Sequence, residues 1–329
     1  MRKAVGIALA PVWALQVFTG AKSFRANPIL GSRALNALGL HVARKALAHG
    51  LTAARRAARS PLAPADVRRR FARDGYVLVE DFLPPEQFAA VCAEADALAA
   101  GQGLRIQEGD TKTELALIDD EALAHAPALA GLVKGRRFLG LCNYIGARLK
   151  HPFCQVQTIR RDFAANESDP QKSTHSDTFH PTLKGWLFLD DVDEARAPFH
   201  YVPGSHRLTA KRAAWEYAQS LKARGAADPH VAAGSLRAGP EDLQAMGLPP
   251  AIPIVARANT LVLADTMGFH RRGEAQDDRV RRAIYFWMRT NPFNPVLGFR
   301  SRTWRKLELT VFKAMRDRAE RAKTAKTAA

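Results

Sequence analysis

The sequence predicts an all-β core with flanking helices, of the sandwich or jelly-roll kind. Three observations predict it. Between residues 152 and 289 the chain breaks into short apolar runs of four to eight residues, bounded by Gly, Pro, Asp or Asn. Few helical segments intervene between those runs, which disfavours a parallel sheet built from β-α-β units. The chain has 329 residues and 47% hydrophobic content, enough for one sizeable core.

Taken in order, the chain begins with Met1-Arg2-Lys3 and an apolar stretch from Ala4 to Ala21, interrupted by Pro11, Gln16 and Thr19. The stretch is at the short limit of the roughly 20 residues that a spanning helix needs, and it holds a central proline. A segment lying in the membrane interface, anchored by Trp13 and Phe18, fits better than a span or a signal peptide. Residues 32–59 read as an amphipathic helix, with Leu35, Leu38, Val42, Ala46 and Leu51 near one stripe. Ser60-Pro61-Leu62-Ala63-Pro64 is a linker, because its two prolines break regular structure. Gly75–Val79 is strand-like. Residues 85–100 read as a helix that opens on Pro85 and stops at Gly101.

The β-runs are Phe153–Ile159, Gly185–Leu189, Phe199–Val202, Ile252–Val255, Thr260–Ala264 and Ala283–Met288. Residues 207–250 interrupt them with a helix (Leu208–Arg224) and a long loop. An insertion of that size in a β-barrel commonly serves as a lid, a substrate element or an interface. Residues 300–329 form a basic helix and polar tail. The organisation expected is therefore a basic arm over 1–60, a compact domain over 65–299 that carries the insertion, and the C-terminal helix.

Charge is concentrated at the ends. Residues 1–60 hold ten Lys and Arg and no acid, and residues 300–329 hold ten against three. Those two stretches account for the whole net charge of +17, so the middle is neutral. Basic arms around a neutral core point to an anionic membrane surface. The core has no evident basic reading surface, which makes nucleic acid an unlikely partner. The expected location is cytoplasmic, peripheral at the inner face of the membrane. Cys92, Cys142 and Cys154 are odd in number and widely spaced, which excludes a disulfide framework and fits a reducing compartment.

The chemistry is carried by His175-Ser176-Asp177, His270 and Arg281. Two neutral imidazoles and one carboxylate suit non-haem Fe(II) and leave its other face open. In a strand, residues two apart share a side, so His175 and Asp177 can grip one metal. A lone His-x-Asp is weak evidence, and the third ligand must come from elsewhere. Of ten histidines, His270 follows the apolar run Thr260-Leu261-Val262-Leu263-Ala264. Arg281 follows eleven residues later, at the head of another β-run. A guanidinium there suits the far carboxylate of a keto-acid such as 2-oxoglutarate. The bland reading of Arg281 is one surface arginine in the cluster with Arg279 and Arg282.

Over roughly 70–290 the chain resembles the phytanoyl-CoA dioxygenase-like family of Fe(II)/2-oxoglutarate oxygenases. The residues that carry the resemblance are Phe71-Ala72-Arg73-Asp74-Gly75-Tyr76-Val77-Leu78-Val79, His175-Ser176-Asp177, Trp186, Val202-Pro203-Gly204-Ser205-His206-Arg207, His270, and Arg281-Arg282-Ala283-Ile284. The resemblance implies a double-stranded β-helix (jelly roll, cupin-like). It implies iron held by His175, Asp177 and His270, and the 2-oxoglutarate carboxylate held by Arg281. Ascorbate would support turnover. The chain departs from the family at Ala195–Pro198, where small residues are usual, and at Arg272, where a hydroxyl side chain is common. The expected activity is hydroxylation of an unactivated C–H bond, with succinate and CO2 as co-products; Asp177 stands where related halogenases have a small residue. The charged ends point to a lipid-like or acyl substrate. The alternative is a non-catalytic jelly-roll protein that binds membrane or nucleic acid through its basic ends. The Pro-Gly-Ser-His segment reads as a structural turn, with His206 packed rather than ligating.

Overall fold

The computed structural model describes residues 2–101, 103–165, 167, 169–298 and 301–327. Its strands are β1 (Tyr76–Val79), β2 (Leu104–Glu108), β3 (Thr111–Leu117), β4 (Phe153–Arg161), β5 (Leu183–Phe188), β6 (Phe199–Tyr201), β7 (Ile252–Pro253), β8 (Leu261–Asp265), β9 (His270–Arg272) and β10 (Arg281–Met288). Seven form a large sheet in the order β1-β8-β5-β10-β4-β3-β2, and β7-β6-β9 form a small one. Every strand pairing is antiparallel among the described residues. This is the expected jelly roll, and each of the six β-runs read from sequence lies on a strand.

Period-two alternation divides the large sheet into two faces. On one face Leu183 and Leu187 of β5, Leu261 and Leu263 of β8, Ile284 and Phe286 of β10, and Cys154 and Val156 of β4 join the main core. Helices cover that face: α4 (Ala65–Asp74) through Val67 and Phe71, α5 (Pro85–Ala99) through Val91 and Ala95, α7 (Pro127–Lys134) through Leu129 and Leu132, and α8 (Arg136–Ile145) through Phe138 and Leu139. Burying one such side chain contributes about 1.5–3 kcal/mol. On the other face Trp186, Phe188, Val262 and Ala283 meet Phe199 and Tyr201 of the small sheet. The site lies between the sheets.

Gly75 closes α4 at φ +85°, and a Cβ there would sit 2.4 Å from the His206 ring. Only glycine meets both demands. His206 is buried against Phe71, with ring centroids 5.6 Å apart. It packs, as expected of the Pro-Gly-Ser-His turn.

The N-terminal stretch differs from expectation. The helix expected over 32–59 is broken into α2 (Arg33–Ala37) and α3 (Leu40–Ala57) by Gly39 at φ +93°. Its apolar stripe is not the buried one. Leu38 is 86% exposed, while His41, Arg44, Lys45, Thr52 and Arg55 are buried. The reason is a set of acceptors that composition does not show. Glu216 lies on α9 (Ala210–Ser220), the insertion helix. It meets His41 at 2.7 Å and Lys45 at 2.9 Å. Arg44 donates to the carbonyls of Val17, Thr19 and Ala21. Residues 17–57 are therefore part of the packed body rather than an arm standing off it. The linker expected at 60–64 is likewise a short 3-10 turn, Ser60–Leu62, followed by Ala63 in the main core. Among the described residues, no helix is long and apolar enough to cross a membrane.

The remaining helices are α1 (Arg2–Gln16), α6 (Asp120–His125), α10 (Pro229–Ala232), α11 (Pro240–Ala245) and α12 (Arg302–Thr327). The insertion thus holds α9, α10 and α11.

Candidate metal centre

The His175-Ser176-Asp177 triplet is not in a regular strand. His175 makes isolated antiparallel bridges to His270 and to Arg237. The backbone N–H of each of His175 and His270 donates to the other's carbonyl, at 2.9 Å both ways. Ser176 N–H donates to Leu236 and Asp177 N–H to Thr266. The same-side geometry expected of a strand is thus met by a segment stitched on both sides. The Lys22 ammonium adds a further tie by donating to the Asp177 carbonyl at 2.6 Å.

The three side chains converge. One ligand atom from each of His175, Asp177 and His270 lies within 4.8 Å of the other two. Asp177 Oδ1 is 3.8 Å from His175 Nε2 and 3.7 Å from His270 Nε2. His175 Nδ1 lies 2.7 Å from the Ser173 carbonyl, and His270 Nδ1 lies 2.9 Å from that of Gly268. A carbonyl only accepts, so each Nδ1 carries the proton and donates. That leaves Nε2, on the side of Asp177, as the ring position available to a metal. Burial, then the neighbouring His270, holds the His175 imidazole well below its usual pKa and so neutral. Burial works against the Asp177 carboxylate, but Lys184 and His270 outweigh it and hold its pKa well below the usual range. Two imidazoles whose Nδ1 positions are tied to carbonyls, and one ionised carboxylate, form a donor set that fits Fe(II).

The triad opens into a cavity of about 230 Å³. Every second residue of the inner sheet face lines it: Thr113 and Leu115 of β3, Gln157 and Ile159 of β4, Lys184 and Trp186 of β5, and Arg281 and Tyr285 of β10. Trp186 Nε1 donates to Gln157 at 3.1 Å. Arg281 shares the cavity with the triad. It is buried, donates to the Ala197 carbonyl, and has no carboxylate partner among the described residues. Burial, and next the charge of Arg272, lowers its pKa to about 9. A buried guanidinium without a counter-charge is costly, and a bound carboxylate would offset that cost.

Arg272, the departure after the distal histidine, is held by Asp169 and lies 3.9 Å from Glu108. One residue that sequence reasoning passed over stands out. Lys184 Nζ lies 2.7 Å from Asp177 Oδ2. Its signal was present: a lone cation inside the buried run Leu183–Leu189, in phase with Trp186.

Comparison with known proteins gives three findings. The family described as phytanoyl-CoA dioxygenase (PhyH) matches residues 71–282. Ectoine dioxygenase of Bordetella parapertussis is 28% identical over 185 residues, which is 50% of this chain and 58% of that protein. The chain thus spans under two thirds of the length of this curated relative. Solved structures with a similar fold include the epimerase SnoN in complex with Fe3+, alpha ketoglutarate and nogalamycin RO. It is 20% identical, with a TM-score of 0.47, over 68% of this chain and 84% of that one. EctD from S. alaskensis with bound Fe is 18% identical, with a TM-score of 0.43, over 69% of this chain and 76% of that one.

Proposed function

The chain belongs to the phytanoyl-CoA dioxygenase family, and on that premise we propose that it is an Fe(II)/2-oxoglutarate-dependent oxygenase that hydroxylates a C–H bond. The observation that carries this reading is the facing of both Nε2 atoms onto Asp177 Oδ1, in one cavity with Arg281, which has no carboxylate partner among the described residues. His175, Asp177 and His270 would hold the iron, and Arg281 would pair with the far carboxylate of 2-oxoglutarate. Bound there, iron with 2-oxoglutarate and dioxygen supplies an oxidant that breaks unactivated C–H bonds, with succinate and CO2 as co-products. The protein's share is orientation and exclusion of water. The Ser173 and Gly268 carbonyls fix the imidazole rings, and Trp186 and Phe199 wall the cavity. Asp177 supplies the carboxylate that distinguishes a hydroxylating site from a halogenating one.

The cavity speaks for a small polar substrate, or for the polar end of a larger one. Gln157, Gln171, Lys184 and Arg271 line it beside few aliphatic side chains. Gln157 and Lys184 already meet Trp186 and Asp177, so an acyl chain would be disfavoured mainly by covering the Arg271 and Arg281 guanidinium groups. The lipid-like substrate expected from the charged ends is therefore set aside. The non-catalytic alternative has no observation in its favour.

The test is succinate release from 2-oxoglutarate by purified protein with Fe(II) and ascorbate. His175→Ala is expected to abolish it. Undiminished release by that variant would overturn the assignment.

A further inference from the structure

The two carboxylate oxygens of Asp177 have different surroundings. Oδ1 faces the two imidazoles, 3.8 Å from His175 Nε2 and 3.7 Å from His270 Nε2. Oδ2 turns the other way, onto Lys184 Nζ at 2.7 Å. The contact is an ion pair rather than an aligned hydrogen bond. Lys184 is not free to wander. It sits in the middle of the sheet, opposite Trp287 of β10 on one side and Ala264 of β8 on the other. Its neighbour on the same face, Trp186, is fixed by Gln157.

We infer that Lys184 is a positioning residue that sequesters Asp177 Oδ2 and so restricts the carboxylate to a single metal bond through Oδ1. The inference rests on the reading of the triad as a metal centre and concerns how that centre is kept open. A carboxylate binds a cation through one oxygen or both. The triad and a chelating keto-acid would together supply five donors to a bound metal. A second Asp177 oxygen would compete for what is left. An ammonium on Oδ2 prevents this, because turning the carboxylate would break an ion pair in a partly desolvated site and bring the ammonium toward the metal. A neutral donor would hold Oδ2 less firmly. Lys184 does not touch the reacting atoms in this account; it acts through Asp177.

The test uses the full-length protein loaded with Co(II), whose visible absorption reports coordination, and compares Lys184→Met and Lys184→Arg with the parent. Co(II) titration, 2-oxoglutarate titration of the Co(II) protein, and thermal melting are measured for each. Binding of one Co(II) by the parent, lost in His270→Ala, checks the metal-centre reading separately. In Lys184→Met the Co(II) spectrum is expected to change before any 2-oxoglutarate is added. Co(II) should bind at least as tightly as in the parent, and 2-oxoglutarate at least tenfold more weakly. Lys184→Arg keeps the charge and should restore most of the 2-oxoglutarate affinity. Four outcomes would overturn the inference. An unchanged Co(II) spectrum with weakened 2-oxoglutarate would make Lys184 a direct co-substrate contact. Parallel loss of both affinities would make it a simple structural support. No change in either would leave it without a role. A fall in melting temperature that appears in Lys184→Met and not in Lys184→Arg, with both affinities intact, also counts against it.

Discussion

The two ends of the chain carry the same number of basic residues and use them in opposite ways. In the N-terminal stretch Lys22, Arg44, Lys45 and Arg55 turn inward, while Arg25 and Arg33 stay exposed. Arg44 closes three backbone carbonyls and stacks 4.2 Å over the Phe179 ring. Lys45 reaches Glu216, Arg55 reaches the Asn294 carbonyl, and Lys22 reaches the carbonyl of Asp177. In α12 the packed side is apolar: Leu309 is buried, and Phe312 lies 5.3 Å from Phe153. Its other side shows Trp304, Leu307, Val311 and Met315, each at least half exposed and spaced three, four and four residues apart. The difference teaches that net charge does not locate charge. Where the fold supplies acceptors, as Glu216 and the loop carbonyls do for α3 and Asp119 does for Lys313 of α12, a cation is drawn onto the body rather than left at the surface.

The sharpest way to break this comparison is to remove the acceptor. Glu216 is one buried carboxylate shared by His41, Lys45 and Arg212, with Arg212 Nε at 2.9 Å. Arg212 also donates to the Ser205 and Met267 carbonyls, so the cluster ties α3 and α9 to the turn that precedes His270. Glu216→Gln keeps the shape and leaves buried cations uncompensated, at a cost of about 3–5 kcal/mol. Urea unfolding measures it. A loss below 1 kcal/mol would mean that the N-terminal stretch is only loosely attached.

A smaller effect separates the ends by pH. His49 lies on α3, and burial, then Lys45 and Arg56, lowers its pKa to about 4. A histidine lowered in the fold contributes stability above its unfolded value of roughly 6.5 and loses it as pH falls toward the folded value. Melting temperature should therefore decline between about pH 6.5 and 4, and His49→Gln should flatten part of that decline. No histidine lies in residues 300–329, so truncation of the C-terminal helix should leave the acid limb unchanged.

Much of the barrel was legible because its strands are apolar runs with clear ends. The convergence of His175, Asp177 and His270 was legible because the first two lie two residues apart and the third follows an apolar run. What escaped had a physical reason in each case. β2 and β3, Leu-Arg-Ile-Gln-Glu and Thr-Lys-Thr-Glu-Leu-Ala-Leu, carry charges throughout. Their one strong signal is the two-residue turn Gly109-Asp110 between the paired residues Glu108 and Thr111. β9 spans only His270–Arg272, too short to show a period. The burial of the basic face of α3 could not be read locally, since its acceptor Glu216 lies 175 residues from His41. Lys184 was visible as an isolated cation in an apolar strand, a pattern that warrants a search for a buried partner.

The last prediction concerns α12, whose apolar stripe remains at the surface. Its composition predicts contact with an anionic membrane, and the exposed Trp304, Leu307, Val311 and Met315 are the side chains that would enter the interface. Replacing Leu307 and Met315 by serine should change stability by less than about 0.5 kcal/mol, because both side chains are more than half exposed. It should nevertheless weaken co-sedimentation with vesicles containing phosphatidylserine. Binding should fall as salt rises, at about 1 kcal/mol for each basic residue engaged. Removing residues 1–16 should have the smaller effect, because it takes away only the cations Arg2 and Lys3. Equal binding by the serine variant, or binding to neutral vesicles as strong as to anionic ones, would remove the membrane from the account. If the stripe instead pairs two copies of the chain, the same variant will shift the oligomeric state in gel filtration and leave vesicle binding unaffected.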